Sequence, residues 1–226
     1  MTEQSSSDHQ YSGVFISFEG GEGSGKSTQI KLLANWIQAM WSGKVTQTRE
    51  PGGTHGAEMI RNLLVTGEAT RWDSVTEALL MTASRRDNLM RIILPALEAG
   101  EAVLTDRFYD STSVYQGIVG GASPDLINAL NTLSLDHIKP DITILLDIDP
   151  ERGLSRSARP DNDETRFESK GMDFHEQVRE GYLALAQDEP DRFMVIDAGR
   201  NEKAIHDDII ARLEPRLKAM QGREPS

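Results

Sequence analysis

A glycine-rich segment near the beginning of the chain contains the residues whose types and spacing most clearly indicate chemistry. Residues 20–27 read Gly-Gly-Glu-Gly-Ser-Gly-Lys-Ser and fit the pattern G-x-x-x-x-G-K-[S/T] at every fixed position. In such a loop, glycines let several backbone N–H groups point into one concavity. The N-terminus of the following helix, which carries a partial positive charge, faces the same concavity, so the loop binds phosphate groups. Lys26, as an exposed ligand group, should reach the β- and γ-phosphates, and the Ser27 hydroxyl should ligate Mg²⁺. The segment therefore predicts a site for a nucleoside triphosphate with Mg²⁺.

Arginines further along the chain indicate what happens to that nucleotide. Several stand near the expected carboxyl ends of strands or on an adjoining helix: Arg49, Arg61, Arg85 and Arg107. Another group forms a candidate lid: Arg152, Arg156, Arg159 and Arg166. One arginine alone is usually a solvated surface charge, but a kinase for a small phosphorylated acceptor needs both a basic pocket and a mobile lid. The sequence contains no guanine-reading Asn-Lys-x-Asp motif, and a motor ATPase is usually larger, so a small-molecule kinase is favoured over either.

Short apolar runs alternate with helical patterns and supply the elements that must position these residues. The runs predict strands ending at Glu19 and over residues 45–48, 102–105, 142–146 and 193–196. Helical spacing joins Ile30, Leu33, Ala34, Ile37 and Trp41, fills residues 73–99, and joins Ile205, Ile209, Leu213 and Leu217. Alternating strands and helices predict an α/β fold in which these five strands form a parallel sheet with helices on both faces. The glycine-rich loop between the first strand and the first helix makes the P-loop NTP hydrolase type the expected fold. Residues 155–170 have no apolar face and predict a mobile segment between helices.

Composition limits the alternatives. The 226 residues carry a net charge of −12, which argues against a nucleic-acid or membrane-surface partner. The chain has no cysteine, which excludes disulfides, thiolate zinc sites and cysteine nucleophiles. No signal peptide or membrane span is evident, so a cytoplasmic protein is expected. We expect one domain over residues 13–220 with its lid at about 152–168, a disordered N-terminal tail over 1–12, and a C-terminal tail over 221–226.

The motifs, taken together and in order, resemble those of the bacterial thymidylate kinases. Besides the loop at residues 18–28, the matching pieces are Arg-Glu-Pro-Gly-Gly-Thr at 49–54, Ala-Ser-Arg at 83–85, Asp-Arg-Phe at 106–108, Tyr-Gln-Gly at 115–117, Leu-Asp at 146–147 and Arg-Phe-Glu at 166–168. The resemblance covers nearly the whole chain. It implies the reaction ATP + dTMP → ADP + dTDP in dTTP synthesis, with Mg²⁺ as cofactor, ATP and dTMP as small-molecule partners, and a homodimer.

The same resemblance implies a role for each matching residue. ATP would be bound by Gly20, Gly21, Glu22, Gly23, Ser24, Gly25, Lys26, Ser27 and Thr28. Arg49, Arg61 and Arg107 would surround the acceptor phosphate, because guanidinium forks suit phosphate oxygens. Glu22 would contact the sugar 3′-hydroxyl, Arg85 a thymine carbonyl, Thr112 and Gln116 polar atoms of the nucleotide, and Tyr115 would crowd the 2′ position. Asp106 would lie near Mg²⁺ and Ser27, with Asp147 ranked second for that place.

Two features distinguish this chain within the family pattern. The loop at residues 21–24 has no basic residue, so the catalytic charge should come from the lid, with Arg156 and Arg159 first and Arg166 next. Met81 stands where the family usually has the phenylalanine that stacks on thymine; a thioether can still pack on a ring. A phosphate acceptor is already largely dianionic at neutral pH, so in-line transfer needs no general base. Lys26, Arg107 and the lid arginines would be the catalytic groups.

Two alternatives stay open at this point. The chain could phosphorylate another nucleoside monophosphate or a deoxynucleoside, or it could be a catalytically silent nucleotide-binding regulator. The intact Lys26, Ser27, Asp106 and Arg107 argue against the regulator. The histidines at 9, 55, 137, 175 and 206 have no metal-ligand spacing and are interpreted as surface or helix-end residues.

Overall fold

A parallel β-sheet organises the computed structural model, which describes residues 11–40, 43–68, 70–157 and 170–220. Its strands are β1 Val14–Glu19, β2 Val45–Arg49, β3 Ala102–Asp106, β4 Ile142–Asp147 and β5 Phe193–Asp197. They lie in the order β2-β3-β1-β4-β5, and each neighbouring pair is parallel. The predicted α/β class and five-stranded parallel sheet are confirmed, and each predicted strand is found within one residue of its expected end.

Helices connect the strands. They are α1 Lys26–Met40, α2 His55–Val65, α3 Ser74–Asn88, α4 Leu94–Glu98, α5 Tyr109–Thr112, α6 Pro124–Leu135, α7 Pro150–Ser157, α8 Met172–Asp188 and α9 Glu202–Met220, with π-helical turns at Leu89–Ile93 and Ser113–Val119. No helix among these residues is long and apolar enough to cross a bilayer.

The core lies on both faces of the sheet because strand side chains alternate. Val14, Ile16 and Phe18 of β1 pack with α1 and α9 on one face. Phe15 packs on the opposite face with the segment that follows α3. Successive β-strand side chains point to opposite faces, so a strand covered by helices on both sides is apolar throughout. The whole of β1 is buried, including its polar Ser17, which shares a 2.8 Å hydrogen bond with the hydroxyl of Thr143, and its last residue, Glu19.

The long helical segment predicted over residues 73–99 exists but is interrupted. Asp73 caps α3 by accepting a 2.8 Å hydrogen bond from the N–H of Thr76. The π-helical turn at Leu89–Ile93 precedes Pro95, and the N–H of Leu94 bonds the carbonyl of Leu89, five residues earlier. Proline lacks an N–H and its ring crowds the preceding turn, so the wider turn accommodates it. Helical periodicity predicted the element, but not this change of pitch.

The chain segment around the expected lid is described in part. Helix α7 includes residues 155–157, which the sequence had placed in a segment without regular structure. The remainder of that segment up to residue 169, including Arg159 and Arg166, lies outside the described residues, as do Trp41 and both chain ends at 1–10 and 221–226. Tyr11 packs partly buried against the core.

Candidate active site

The glycine-rich loop joins the end of β1 to the start of α1, as a phosphate-binding loop requires. The ammonium of Lys26 donates to the carbonyls of Gly20 and Gly21, each at 3.0 Å, and to the hydroxyl of Ser24 at 3.3 Å. Lys26 is only 8% exposed, so the expectation of an exposed ligand group is wrong. Burial, followed by the charge of Arg107, lowers the pKa of Lys26.

The loop is packed directly on α7, the helix at the start of the expected lid. Gly23 has a φ of +65°, and a Cβ atom there would collide with the carbonyl of Gly153 in α7. A Cβ atom on Gly153 would in turn collide with the carbonyl of Glu22. Both positions need glycine because two backbones meet there.

A pair of oxygen ligands lies at the mouth of the loop. The Ser27 hydroxyl donates to the Asp106 carboxylate at 3.0 Å. Mg²⁺ prefers oxygen ligands and is commonly bound by one or two protein groups together with substrate phosphates, so this pair fits the ion. Asp147, the rival acidic position, instead accepts two hydrogen bonds from Arg179, at 2.6 and 2.9 Å. Ser27 is thus paired with Asp106 and not with Asp147.

Two adjoining cavities open at the carboxyl ends of the strands. The first, here called the loop cavity, is lined by residues 22–28 together with Arg49, Arg61, Asp106, Arg107 and Arg156, among others. The second, the inner cavity, is lined by Glu22, Glu50, Pro51, Arg61, Val65, Met81, Arg85, Arg107, Phe108, Ser111, Thr112, Tyr115 and Gln116. Every predicted substrate-binding residue except Arg49 lines the inner cavity, and Arg49 lines the loop cavity. Gly20 and Gly21 line a small cleft behind the loop.

Arg107 and Glu22 stand where the two cavities meet. The Arg107 guanidinium lies 2.9 Å from a carboxylate oxygen of Glu22 and 3.3 Å from the Tyr115 hydroxyl. Burial opposes ionisation of Glu22, but the charges of Arg107 and Lys26 outweigh it and lower the pKa of Glu22. Arg107 has a φ of +70°, an uncommon conformation for a residue with a side chain and one found at functional sites.

The other two predicted phosphate-binding arginines are held at the edge of these cavities. Arg61 donates to the carbonyl of Pro51 at 2.7 Å. Arg49 pairs with Glu58 at 3.0 Å, and half of its side chain is exposed. An anion entering the loop cavity would compete with Glu58 for Arg49, because a carboxylate and a phosphate use the same guanidinium edge.

The far end of the inner cavity is built around Arg85, which is 1% exposed. Its Nε donates to Glu50 at 2.8 Å and its Nη2 to the Thr112 hydroxyl at 2.6 Å, while its Nη1 has no hydrogen-bond partner among the described residues. A buried donor without a partner is costly, and a carbonyl oxygen of a ligand would satisfy it. Met81 lies one helical turn before Arg85 and lines the same cavity.

A buried network behind Arg107 escaped sequence reasoning. Glu19 accepts hydrogen bonds from the Phe108 N–H at 2.8 Å, the Ser111 hydroxyl at 2.6 Å and the Tyr182 hydroxyl at 3.0 Å. The same Ser111 and Tyr182 hydroxyls accept from Arg107, at 3.2 and 3.0 Å. Burial and the nearby charge of Asp110 raise the pKa of Glu19. The one signal for this network in the sequence was Glu19 itself, a charged residue at the end of a mostly apolar strand.

His175 lies at a helix end, in the first turn of α8, as one of the two interpretations of the histidines has it, but it is not a surface residue. It is only 5% exposed, and its Nε2 has no hydrogen-bond partner on any residue that the structure describes. It lines the cleft behind the loop with Gly20 and Gly21, and its charge lowers the pKa of Glu22. The helix α8 turns this face toward the loop, which local sequence does not reveal.

Of the lid arginines, Arg156 is described. It lies near the end of α7, lines the loop cavity and donates to the carbonyl of Ala198 at 2.9 Å. This bond uses one of the five N–H donors of the guanidinium, so the others stay available to a phosphate. Arg159 and Arg166 stay predictions, since they lie outside the described residues.

Comparison with known proteins agrees with this arrangement. The model of the family described as thymidylate kinase matches residues 18–209. A thymidylate kinase of Caulobacter vibrioides is 52% identical over 205 residues, which cover 89% of this chain and 98% of that protein. One from Jannaschia sp. is 48% identical over 192 residues, covering 85% and 91%. The crystal structure of a thymidylate kinase from Ehrlichia chaffeensis superposes with a TM-score of 0.73 at 36% identity, covering 89% of this chain and 98% of that one. Because the family model matches most of the chain and these relatives are about half identical to it over most of both sequences, the chain belongs to the thymidylate kinase family.

Proposed function

We propose that this protein transfers the γ-phosphoryl group of ATP to the phosphate of dTMP, giving ADP and dTDP. The observation that carries the proposal is the junction of the two cavities, which share four lining residues: Glu22, Glu50, Arg61 and Arg107. A triphosphate in the loop cavity and a nucleoside monophosphate in the inner cavity would meet at these residues, with their phosphates facing each other. The chain's similarity to the thymidylate kinases of Caulobacter vibrioides and Jannaschia sp. supports the choice of dTMP.

The donor side is assigned to the loop, residues 20–28. Its backbone N–H groups and the N-terminal end of α1 would hold the phosphates, and Lys26 would exchange the carbonyls of Gly20 and Gly21 for phosphate oxygens. Ser27 and Asp106 would hold Mg²⁺ together with those oxygens. The ion, when bound, neutralises charge on the β- and γ-phosphates.

The acceptor side is assigned to the inner cavity. Arg107 and Arg61 would bind the acceptor phosphate, with Arg49 reaching it from the loop cavity after release by Glu58. Glu22 would accept a hydrogen bond from the sugar 3′-hydroxyl, and Tyr115 would fill the space of a 2′-hydroxyl. Arg85 would donate its unpartnered Nη1 to a thymine carbonyl, with Thr112, Gln116 and Met81 completing the base site.

The chain's contribution to the chemistry would be alignment and charge neutralisation. The acceptor phosphate is mostly dianionic near neutral pH, so no residue needs to remove a proton. Two anionic groups must instead be brought together in line, and guanidinium and ammonium groups lower the energy of that arrangement. Arg156 is the described lid residue placed to do this, with Arg159 and Arg166 as the other candidates. Closure of the lid would exclude water and limit hydrolysis of ATP.

We also propose that the protein works as a homodimer in the cytoplasm. Large apolar side chains are exposed on three helices that pack on one another, α2, α3 and α6: Met59, Leu63, Val75, Leu79 and Leu133. Exposed apolar surface of this kind is typical of protein–protein interfaces. The absence of cysteine agrees with a reducing compartment. Light scattering during size-exclusion chromatography should give twice the chain mass for the wild type and a smaller mass for Leu79→Glu.

Acceptor specificity tests the proposed function. Initial rates of ADP formation should be measured with dTMP, dUMP, dCMP, dGMP and AMP at equal concentrations of ATP and Mg²⁺. The proposal expects the largest kcat/KM for dTMP. A larger value for another monophosphate would reassign the inner cavity, and a flat response to all five would leave a nucleotide-binding regulator.

A further inference from the structure

A buried carboxylate outside the predicted site makes contact with one of its members. Glu77 lies in the first turn of α3 and is 6% exposed. Its Oε2 accepts a 2.9 Å hydrogen bond from the Nε2 of Gln116, which is 1% exposed in the π-helical turn Ser113–Val119. Gln116 also lines the inner cavity, whereas Glu77 does not. Glu77 therefore acts on this cavity through Gln116.

This contact fixes which end of the Gln116 amide faces Glu77. An ionised carboxylate only accepts hydrogen bonds, so the amide must turn its NH₂ group toward Glu77. The carbonyl oxygen of Gln116 accepts no hydrogen bond within the described part of the chain and is left as the group available to a ligand. One turn away, the Ser74 hydroxyl donates to the carbonyl of Gly120 at 2.7 Å and joins the same two elements.

The inner cavity then presents a defined pair of polar groups. Arg85 offers Nη1 as a donor without a partner, and Gln116 offers a carbonyl oxygen as an acceptor. A 4-oxopyrimidine such as thymine or uracil has the complementary pair, an O4 acceptor beside an N3–H donor. A 4-aminopyrimidine such as cytosine has the reverse pair, an amino donor beside a bare N3 acceptor.

We propose that Glu77 is a positioning residue that holds the Gln116 amide in its acceptor orientation and thereby makes the site select 4-oxopyrimidine over 4-aminopyrimidine nucleotides. The proposal rests on the assignment of the acceptor base to the inner cavity. Without the carboxylate, the amide is free to turn its NH₂ group toward the base. Selectivity would then depend on Arg85 alone.

Glu77→Gln tests this with little change of shape, because glutamine at 77 can accept from or donate to Gln116 and so permits both amide orientations. The probes are dTMP, 5-methyl-dCMP, which differs from dTMP only at the 4-position and N3, and dUMP, which lacks only the methyl group. The ratio of kcat/KM for dTMP to that for 5-methyl-dCMP should fall about tenfold, mainly through KM, as expected for one hydrogen bond. The ratio of dTMP to dUMP should not change, because both bases present O4 and N3–H.

Three further variants separate positioning from stability. In a Gln116→Ala background, Glu77→Gln should have no further effect on the ratio of dTMP to 5-methyl-dCMP, since the two residues act as one unit. Ser74→Ala breaks the neighbouring link between the same elements and should leave that ratio unchanged even if it lowers Tm. Glu77→Ala, which leaves the amide unanchored, is the second variant at this position and should lower the ratio in the same direction.

The outcomes are distinct. If Gln116→Ala lowers the ratio but neither variant at position 77 does, Glu77 does not position the amide and the proposal is overturned. A parallel fall of kcat/KM for both nucleotides, accompanied by a lower Tm, would also overturn it by showing a structural role alone. If Gln116→Ala changes neither dTMP turnover nor the ratio, the assignment of the base to the inner cavity fails as well. A protein inactive on dTMP in the wild type would refute the proposed function itself.

Discussion

The guanidinium of Arg107 lies 2.9 Å from the carboxylate of Glu22, and this pair joins the nucleotide-binding loop to the loop that follows β3. Glu22 approaches from the end of β1 and Arg107 from the end of β3, and these strands are neighbours in the sheet. The carboxyl ends of parallel strands meet at one edge, where α/β proteins bind their ligands. The pair places Arg107 directly beside the glycine-rich loop, where the proposed function needs the acceptor phosphate to be bound.

Replacing Arg107 by lysine keeps the charge and removes the planar fork. Arg107 makes hydrogen bonds to Glu22, Tyr115, Ser111 and Tyr182, and an ammonium cannot reproduce that geometry. We expect kcat/KM for dTMP to fall about 10²-fold in Arg107→Lys, as for the loss of one or two charge-assisted hydrogen bonds. Steady-state kinetics measures this. Arg91→Lys, at a largely exposed arginine, is the matched control, and equal behaviour of the two variants would contradict the role of Arg107.

Arg156 should act on the transition state. Its Nη1 donates to the carbonyl of Ala198, and the residue lines the loop cavity. A contact made only in the transition state of phosphoryl transfer affects kcat more than KM. Arg156→Ala should therefore lower kcat by a factor between about 5 and about 10³, with little change in KM for dTMP. Arg152→Ala, one turn earlier on α7, should keep the wild-type kcat. Unchanged kcat in Arg156→Ala would transfer the role to Arg159 or Arg166.

Met81→Phe examines the base site. Met81 is half-buried and lines the inner cavity with Arg85 and Phe108. An aromatic pair contributes about 0.5–1.5 kcal/mol beyond burial, and a sulfur–aromatic contact about 0.3–1.5 kcal/mol, so dTMP should bind at most a fewfold more tightly. Calorimetric titration and a thermal melt on the same variant provide the measurement. A lower Tm with unchanged dTMP affinity would indicate overpacking and remove Met81 from the base site.

Glu50 should make stability depend on pH near neutrality. Burial raises its pKa from the ordinary 4.5 to about 7, although the charge of Arg85 opposes the shift. A carboxyl group whose pKa is higher in the folded state binds its proton more tightly there, so its contribution to the free energy of unfolding is largest below pH 4.5 and falls as the pH rises to about 7.

Denaturant unfolding of the wild type and of Glu50→Gln at a series of pH values tests this sign. Between about pH 5 and pH 8, the wild type should lose on the order of 1–3 kcal/mol relative to the variant. Glu58→Gln is the control, because the pKa of Glu58 is lowered by its bonds to Arg49 and Gly53 despite some desolvation, which places its effect at lower pH. Parallel wild-type and Glu50→Gln curves would show that Glu50 does not titrate in this range.

Local sequence was sufficient for the parts of the site that short segments specify. The phosphate-binding loop, the strand ends and the arginines at them follow from spacing alone, because a parallel sheet brings strand ends to one edge. The inner cavity also gathered the predicted base-site residues from α3 and the turn after α5. The motif order along the chain supplied that expectation.

Contacts between distant segments account for most of what sequence reasoning missed. Tyr182 bonds Glu19 across 163 residues, and only the packing of α8 against the sheet brings them together. His175 is buried for the same reason. The burial of Lys26 depends on the conformation of the loop, in which the ammonium donates to the carbonyls of Gly20 and Gly21. None of these arrangements follows from periodicity or motif spacing.

Formation of dTDP from dTMP and ATP, followed by chromatography of the nucleotides, tests the central claim most directly. The wild type should convert dTMP to dTDP with one ADP formed for each dTDP, and only with Mg²⁺ present. Lys26→Ala should keep its circular dichroism spectrum and lose about 10³-fold or more in kcat, as expected for a group that stabilises the transferred charge. Absence of dTDP with the wild type, or retention of more than about a tenth of kcat in Lys26→Ala, would contradict the account.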